Sequence, residues 1–205
     1  MIFSGFTKEQ LSLFRKLNTP QKIQDFLETL EVNFGDTNMS PKKVLEKNKA
    51  HCLEGAMLAA AVLRFHGHQP LILDLKTTKN DDDHVIAVFK KDGHWGALSK
   101  TNHAILRYRD SIFKTVRELV LSFFSEYFLE NGRKTLRSYS KPVNLARFDR
   151  FNWMVSEKNL YPIAEYIDNV PHQKILTSKM ISNLRKKDPI EIKILKFVEW
   201  EKNKK

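Results

Sequence analysis

Residues 50–67 read AHCLEGAMLAAAVLRFHG and contain the only cysteine of the chain, Cys52, where an alanine-rich helix is predicted to begin. Small and apolar residues recur at three- and four-residue spacing after it, and Gly67 stands where a left-handed C-cap is expected. So many alanines predict a central helix packed closely on a sheet. A helix N-terminus carries unpaired N–H groups and partial positive charge, which favour thiolate over thiol. Cys52 is therefore either a small core residue or a nucleophile.

Three strands are predicted to follow this helix, in the segments LILDLK, HVIAVFK and WGALS. The pair Asp92-Gly93 predicts a tight hairpin between the last two strands. Before Cys52, helices are predicted in TKEQLSLFRKL, in TPQKIQDFLETLEVN with Thr19 as N-cap, and after Ser40-Pro41. The class predicted by this order is α+β, with an antiparallel sheet in the middle.

Beyond residue 103 the sequence predicts mainly helix. A long helix is predicted from residue 111 in SIFKTVRELVLSFFSEYFLENG, closed by Asn131-Gly132. The segment RKTLRSYSKPVNLARFDRFNW has no clear period. Ser156 is predicted to cap a helix in EKNLYPIAEYID, and helices are also predicted in SKMISNLRKK and PIEIKILKFVEWEK. We predict one domain over 1–205, with a core over 50–102 and helical flanks over 1–48 and 103–205.

A thiol nucleophile needs a base beside it and a third group that fixes the tautomer of that base. Among the seven histidines, His84 is best placed, because it opens the second strand at a sheet end, where side chains can meet a helix N-terminus. We expect His51 and Asn102 to line the same cleft and to bind substrate. His103 is a further residue that could line it.

This order of elements resembles the core of the transglutaminase-like branch of the papain-type cysteine enzymes, from Ala50 to about Asn102. In that family a cysteine begins a helix, a glycine ends it, a histidine starts a later strand, and a tryptophan precedes an acid by four residues. Cys52, Gly67, His84 and Trp95 stand at those places. The surroundings, including WGALSKTNHAILRYRD, also resemble an uncharacterised bacterial group within this superfamily.

The resemblance implies a transglutaminase-like, cysteine proteinase-like fold. It also implies that Cys52 attacks an amide or ester with His84 as general base and then general acid, through an acyl-enzyme and without a cofactor. Trp95 is assigned with the substrate-binding residues on the same ground. The oxyanion would be held mainly by the backbone N–H of Cys52.

The residue four positions after Trp95 is Ser99, where the family pattern asks for aspartate. With a two-residue hairpin loop, Thr101 lies opposite His84 and Ser99 is its diagonal neighbour, whereas with a four-residue loop Ser99 lies directly opposite. An odd loop would instead bring Asn102 or Lys100 to His84. A serine or asparagine oxygen can fix the tautomer but cannot stabilise imidazolium as a carboxylate does. The third group is therefore Ser99 or Asn102, unless a carboxylate is supplied by Asp83 or Asp110.

Metal and nucleic-acid binding receive little support from the sequence. Cys52, His84 and Asp81–Asp83 offer ligand atoms, but paired spacings such as CxxC or HExxH are absent, so no metal is predicted. The net charge is +11, and residues 101–205 hold 21 Lys and Arg against 12 Asp and Glu, scattered along the chain. No nucleic-acid reading module is recognisable, so the basic half is expected to be a solvated surface or to contact an acidic partner.

The 205 residues are expected to form a cytoplasmic protein, because neither a signal peptide nor a stretch of about 20 apolar residues is recognisable and a single cysteine cannot form an internal disulfide. We expect a cysteine-dependent hydrolase or acyltransferase whose substrate is a peptide or a small amide or ester. The alternative is a binding or regulatory module with the same fold but no turnover.

Overall fold

A seven-stranded sheet forms the centre of the protein, and every strand pair in it is antiparallel. The computed structural model describes residues 3–199. A separate parallel pair is formed by β1 (Glu31–Val32) and β2 (Lys49–Ala50). The strands of the sheet are β3 (Leu71–Lys76), β4 (His84–Lys91), β5 (His94–Leu98), β6 (Arg109–Phe113), β7 (Ser138–Ser140), β8 (Val143–Asn144) and β9 (His172–Lys174). Their order is β6-β5-β4-β3-β7-β9, and β8 also pairs with β3. The α+β class is confirmed.

Eight α-helices surround the sheets in the described part of the chain. They are α1 (Lys8–Lys16), α2 (Pro20–Thr29), α3 (Pro41–Lys47), α4 (Cys52–Phe65), α5 (Val116–Phe124), α6 (Tyr161–Asn169), α7 (Ser178–Ser182) and α8 (Pro189–Ile192). Two 3₁₀ helices span Leu145–Phe151 and Lys193–Lys196. The hydroxyls of Thr19 and Ser40 accept hydrogen bonds from the third residue of α2 and of α3, which confirms both predicted helix starts. No helix within residues 3–199 has both the length and the apolar character needed to cross a bilayer.

The hairpin between β4 and β5 has a two-residue loop. Lys91 pairs with His94, and Asp92 and Gly93 have φ angles of 50° and 81°. Positive φ at both central positions is typical of a type I′ turn, which asparagine, aspartate and glycine adopt most easily. The Asp92-Gly93 prediction is confirmed, and this loop fixes the register that leads from His84 to Ser99.

Helix α4 lies against one face of the sheet. Its alanines at positions 56, 59, 60 and 61 are fully buried in a cluster with Ile72, Ala87 and Leu98. A second cluster covers the other face, where Leu73, Ile86 and Val88 pack with residues of α5 and with Tyr127. The small side chains of α4 let its backbone approach the sheet, as predicted. At Gly55 an added Cβ would stand 2.4 Å from Cβ of Lys100, so glycine is needed where the helix start meets the chain after β5.

The C-terminal flank differs from the prediction, because it supplies the four strands β6 to β9 and enlarges the small sheet that was expected. The helix predicted from residue 111 is wrong at both ends. Residues 109–113 pair with β5, the helix begins only after its N-cap, Thr115, and it ends at Phe124, well before Asn131-Gly132. The segment without a clear period contains β7, β8 and the first 3₁₀ helix. Alternating exposure along 109–113 is a strand pattern that the overlapping helical period concealed.

The later helices are shorter than predicted. Ser156 accepts a hydrogen bond from the amide of Lys158 in a local turn, and α6 begins only at Tyr161, directly before a proline that suits a first helical turn. In the last predicted helix, α8 passes into the second 3₁₀ helix, and Val198 then makes a β-bridge with His103. Residues 200–202 of that segment lie outside the described residues.

Candidate active site

An open cleft of about 210 Å³ lies where the start of α4 meets the start of β4 and the chain after β5. The lining residues that carry reactive or polar groups include His51, Cys52, Asp81, Asp82, Asp83, His84, Asn102, His103 and Tyr127. The structure therefore brings Cys52 together with three of the other predicted site residues, His51, His84 and Asn102. Val32, Phe34 and Leu106 add apolar surface.

Two histidines, His51 and His84, act on the thiol of Cys52. Burial by itself would raise the pKa of this thiol. Hydrogen bonding by the two imidazoles and their charges outweigh burial and lower the pKa from 9.0 to about 5. A thiolate is thus the stable form of Cys52 at neutral pH, the condition that a cysteine nucleophile needs.

The imidazole of His84 is hydrogen-bonded to the side chain of Ser99. The Nε2 atom lies 2.7 Å from Oγ of Ser99, and this Oγ lies 2.6 Å from the carbonyl oxygen of Leu106. The serine has one hydroxyl proton and donates it to the carbonyl, so Oγ accepts from Nε2–H of His84. In the neutral imidazole of His84, Nδ1 is then the nitrogen without a proton. Of the third groups considered from the sequence, Ser99 is the side chain that hydrogen-bonds His84.

Ser99 is fully buried and its backbone is also held in place. Gln24 of α2 accepts a hydrogen bond from the Ser99 amide at 3.0 Å and donates one to the Ser99 carbonyl at 2.8 Å. These two hydrogen bonds of the Gln24 side chain satisfy backbone groups just beyond the end of β5. Gln24 was not predicted to act at the site, because 75 residues separate it from Ser99.

The other imidazole, that of His51, is fixed by the loop that precedes α3. Its Nε2–H donates to the carbonyl of Thr37, and the same nitrogen lies 3.5 Å from Oε1 of Glu54. Burial lowers the pKa of His51, but contact with Cys52, the charges of Cys52 and Glu54, and the Thr37 carbonyl together raise it from 6.5 to about 9. His51 is therefore the cation that faces the thiolate at neutral pH.

Glu54 is a fully buried carboxylate that organises this side of the cleft. Its Oε1 accepts from the Thr37 hydroxyl at 2.7 Å and from the Met39 amide at 2.8 Å, and its Oε2 accepts from Asn33 Nδ2 at 2.8 Å and from the His51 amide at 3.1 Å. Both carboxylate oxygens are satisfied, so Glu54 does not face the substrate. A glutamate three residues after the N-cap is typical of a capping box, so this position of Glu54 predicts a capping carboxylate.

Asp83 and Asp110, the two carboxylates considered from the sequence, do not take the place of Ser99 as the partner of His84. Asp83 accepts from the amide of Thr77 at 2.7 Å and pairs with Lys76 at 3.6 Å, and Asp110 lies on β6 beside Tyr108. Asn102 lines the cleft, and its carbonyl accepts a hydrogen bond from the amide of Glu199. The missing acid of the family pattern is thus not restored at His84 by Asp83 or Asp110.

Trp95 lies outside the cleft, contrary to the expectation that it binds substrate there. It pairs with Lys90 next to the hairpin turn, and its ring contacts the Lys90 ammonium and lines a different pocket with His68 and Gln69. The reason is the strand geometry, because the end of β5 that carries Trp95 is the end farther from Ser99. Trp95 therefore does not line the substrate cleft.

Three adjacent aspartates, Asp81 to Asp83, form the acidic side of the cleft. Asp81 accepts a hydrogen bond from the Thr135 hydroxyl, and its pKa is raised, chiefly by burial. Asp82 is exposed and makes no ion pair with residues 3–199. Lys100 also lines the cleft, but its ammonium is turned away and donates to the carbonyl of Leu30 at 2.7 Å. The cleft is acidic on a protein whose net charge is +11.

A group of carboxylates that could hold a metal ion shares one member, Asp83, with the cleft. Oxygens of Asp74, Asp83 and Asp168 stand within 4.8 Å of one another. The ammonium of Lys76 lies 3.6 Å from Asp83 and 3.4 Å from Asp168, and His172 lies 2.9 Å from Asp74. Lys76 and His172 are thus the side chains that pair with these carboxylates.

Comparison with protein-family models gives no match for the chain, and comparison with curated proteins finds no relative.

Proposed function

We propose that the protein is a cysteine-dependent hydrolase or acyltransferase that acts on an amide or ester bond, with Cys52 as nucleophile. One observation carries this proposal: the single thiol of the chain stands at a helix start, in an open cleft that two separately anchored histidines, His51 and His84, also line. The order of helix, strand, hairpin and histidine agrees with the transglutaminase-like resemblance, which we retain as the proposed family.

In the first half of the proposed reaction, the Cys52 thiolate attacks the substrate carbonyl and a C–S bond forms. The carbonyl electron pair moves to the oxygen, and the backbone N–H of Cys52 at the helix start donates to it. The proton that Cys52 gave up resides on Nδ1 of His84, and His51 stays protonated. The leaving amine or alcohol takes that proton when the C–N or C–O bond breaks, which leaves an acyl-enzyme.

In the second half, water or an amine attacks the acyl-enzyme. His84 takes the proton of the attacking group through Nδ1, because Ser99 keeps Nε2 protonated and so sets the tautomer. The C–S bond breaks and the thiolate returns. His51, clamped by Thr37 and Glu54, keeps a positive charge beside the sulfur throughout. We propose that this imidazolium compensates in part for the carboxylate that the family places at the position of Ser99.

The charge of the cleft limits the class of substrate that it favours. Asp81, Asp82 and Asp83 line it, and the ammonium of Lys100 is turned toward Leu30. Carboxylates on one side disfavour an anionic substrate and favour a neutral or cationic one. We propose a neutral or cationic peptide or small amide or ester. The chemistry needs a reduced thiol, which fits a cytoplasmic setting.

The proposal is tested by trapping the acyl-enzyme. The protein is mixed with p-nitrophenyl acetate, release of nitrophenolate is followed for a burst, and the intact mass is then measured. We expect a burst of about one equivalent and a protein carrying one acetyl group. The control is Cys52→Ala, which should show neither.

Absence of both burst and acetyl group in a protein whose Cys52 reacts readily with iodoacetamide would contradict the enzyme proposal. That result would favour the alternative of a binding or regulatory module that keeps the fold without turnover.

A further inference from the structure

Tyr127 is a cleft residue whose polar group has no role in the chemistry described so far. Its side chain is 2% exposed, and its ring packs in the cluster that also contains Ile86 and Leu106. It lines the cleft together with Cys52. Its hydroxyl is buried and makes no hydrogen bond in the described structure.

An unpaired buried hydroxyl is an exception among folded proteins. A buried polar group without a partner costs about 1–3 kcal/mol, so nearly all such groups are paired. A phenylalanine at the same place would avoid this cost. Within residues 3–199 the hydroxyls of Tyr108 and Tyr127 are of this kind, and of the two only Tyr127 lines the cleft, so its hydroxyl is a candidate for a role that a bound molecule completes.

This hydroxyl keeps its proton at every pH at which the thiolate works. Burial raises the pKa of Tyr127 well above 10.0, and the negative charges of Cys52, Asp81, Asp74 and Asp83 raise it further. Tyr127 thus enters the cleft as a neutral donor and cannot serve as a base.

Several other hydrogen-bond donors near the thiol already donate to protein groups. Nε2 of His51 donates to Thr37, Nε2 of His84 donates to Ser99, and the ammonium of Lys100 donates to Leu30. The Tyr127 hydroxyl has a proton to donate and no acceptor in the described structure.

We propose that Tyr127 is a catalytic residue that donates a hydrogen bond to the oxyanion formed when Cys52 attacks a carbonyl. The inference rests on the proposed function. The tyrosine keeps its O–H bond throughout: the carbonyl electron pair moves to oxygen as the C–S bond forms, and it returns when the leaving group departs with a proton from a histidine. The tyrosine and the backbone N–H of Cys52 then form a two-donor oxyanion site.

Two rates separate this role from any effect on the thiol itself. Acylation by p-nitrophenyl acetate passes through a tetrahedral oxyanion, whereas alkylation by iodoacetamide replaces iodide at carbon and forms none. Both rates are measured for the wild type, for Tyr127→Phe and for the control Tyr108→Phe, whose ring lies against Phe89 and outside the cleft. Circular dichroism and thermal unfolding report the fold of each variant.

We expect Tyr127→Phe to lower the acylation rate by about 100-fold, the usual effect of removing one oxyanion donor, and to leave the alkylation rate within about twofold. Its Tm should be unchanged or higher, because an unpaired hydroxyl is removed. Tyr108→Phe should leave both rates unchanged. If Tyr127→Phe does not fold, Tyr127→Met, which keeps an apolar side chain of similar length, takes its place.

An acylation rate within about twofold of the wild type in a folded variant would overturn the role of Tyr127 while leaving the proposed function intact. Equal losses in acylation and alkylation would also overturn it, since they would place Tyr127 at the thiol. A wild type that is alkylated but never acylated would overturn both the proposed function and this inference.

Discussion

The Nε2 atom of His84 lies 2.7 Å from Oγ of Ser99, and the same Oγ lies 2.6 Å from the carbonyl oxygen of Leu106. This chain of two hydrogen bonds leaves Ser99 only the acceptor role toward His84, so one imidazole tautomer is selected without a carboxylate. The second imidazole at the thiol, His51, is anchored independently by Thr37 and Glu54. The candidate site thus has two anchored histidines where the family pattern has one histidine and one aspartate.

Ser99→Ala should slow acylation of Cys52 at least about tenfold, because His84 loses the group that fixes its tautomer and a general base contributes about 10²- to 10⁴-fold. The lost hydrogen bonds should lower the free energy of unfolding by about 1–2 kcal/mol. The matched control is Ser140→Ala, which removes another fully buried serine hydroxyl, one that accepts from the Asp74 amide. Nitrophenolate burst rates and urea unfolding measure the two effects, and equal slowing in both variants would contradict the role of Ser99.

Glu54→Gln should destabilise the fold by about 2–4 kcal/mol, because a buried carboxylate that accepts four hydrogen bonds is replaced by an amide that must present a donor to one side. It should also raise the pKa of Cys52, because His51 loses the charge that supports its protonated form. Urea unfolding and the pH dependence of alkylation test the two statements.

The control for Glu54→Gln is Glu157→Gln, which removes an exposed carboxylate paired with Lys42 and Lys43. Exposed pairs contribute little, so a change below about 1 kcal/mol is expected. A Glu54→Gln protein as stable as this control would show that the buried network does not support the site.

Asp82→Asn should reduce acylation by a cationic ester about two- to fivefold and leave acylation by a neutral ester unchanged, since an exposed charge pair is worth about 0.2–1 kcal/mol. The difference should shrink as salt is added, because exposed charges are screened. Asp110→Asn, on β6 and outside the cleft, is the control. An Asp82→Asn effect that is the same for both esters would contradict charge selection by the cleft.

The sequence predicted the site where local rules and short-range register applied. Asp92-Gly93 predicted a hairpin, and both even loop lengths that were considered placed Ser99 on the same sheet face as His84. The observed two-residue loop makes Ser99 the diagonal neighbour of His84. The start of α4 at Cys52 was likewise predicted from its own apolar spacing. These inferences needed only geometry within a hairpin or a helix.

Other parts of the site depend on contacts between distant segments. Gln24 hydrogen-bonds Ser99 although 75 residues separate them in the sequence. Tyr127 lines the cleft but belongs to the cluster on the other face of the sheet from α4. No sequence spacing predicts either residue at the site. The strand over 109–113 was missed because its residues also fit the period of the helix that follows it. Trp95 was placed in the cleft by family resemblance alone, and its strand position carries it elsewhere.

The central claim, that Cys52 is a histidine-activated thiolate, is tested by the pH dependence of its alkylation by iodoacetamide. Cys52 is the only cysteine, so the whole signal reports one thiol. Because its pKa is lowered to about 5, the rate should stay level from neutral pH down to about pH 6 and fall with a midpoint near pH 5. His84→Ala and His51→Gln should each shift that midpoint upward. A native midpoint near the ordinary thiol value of about 8.5, or a thiol that reacts only after unfolding, would contradict the account.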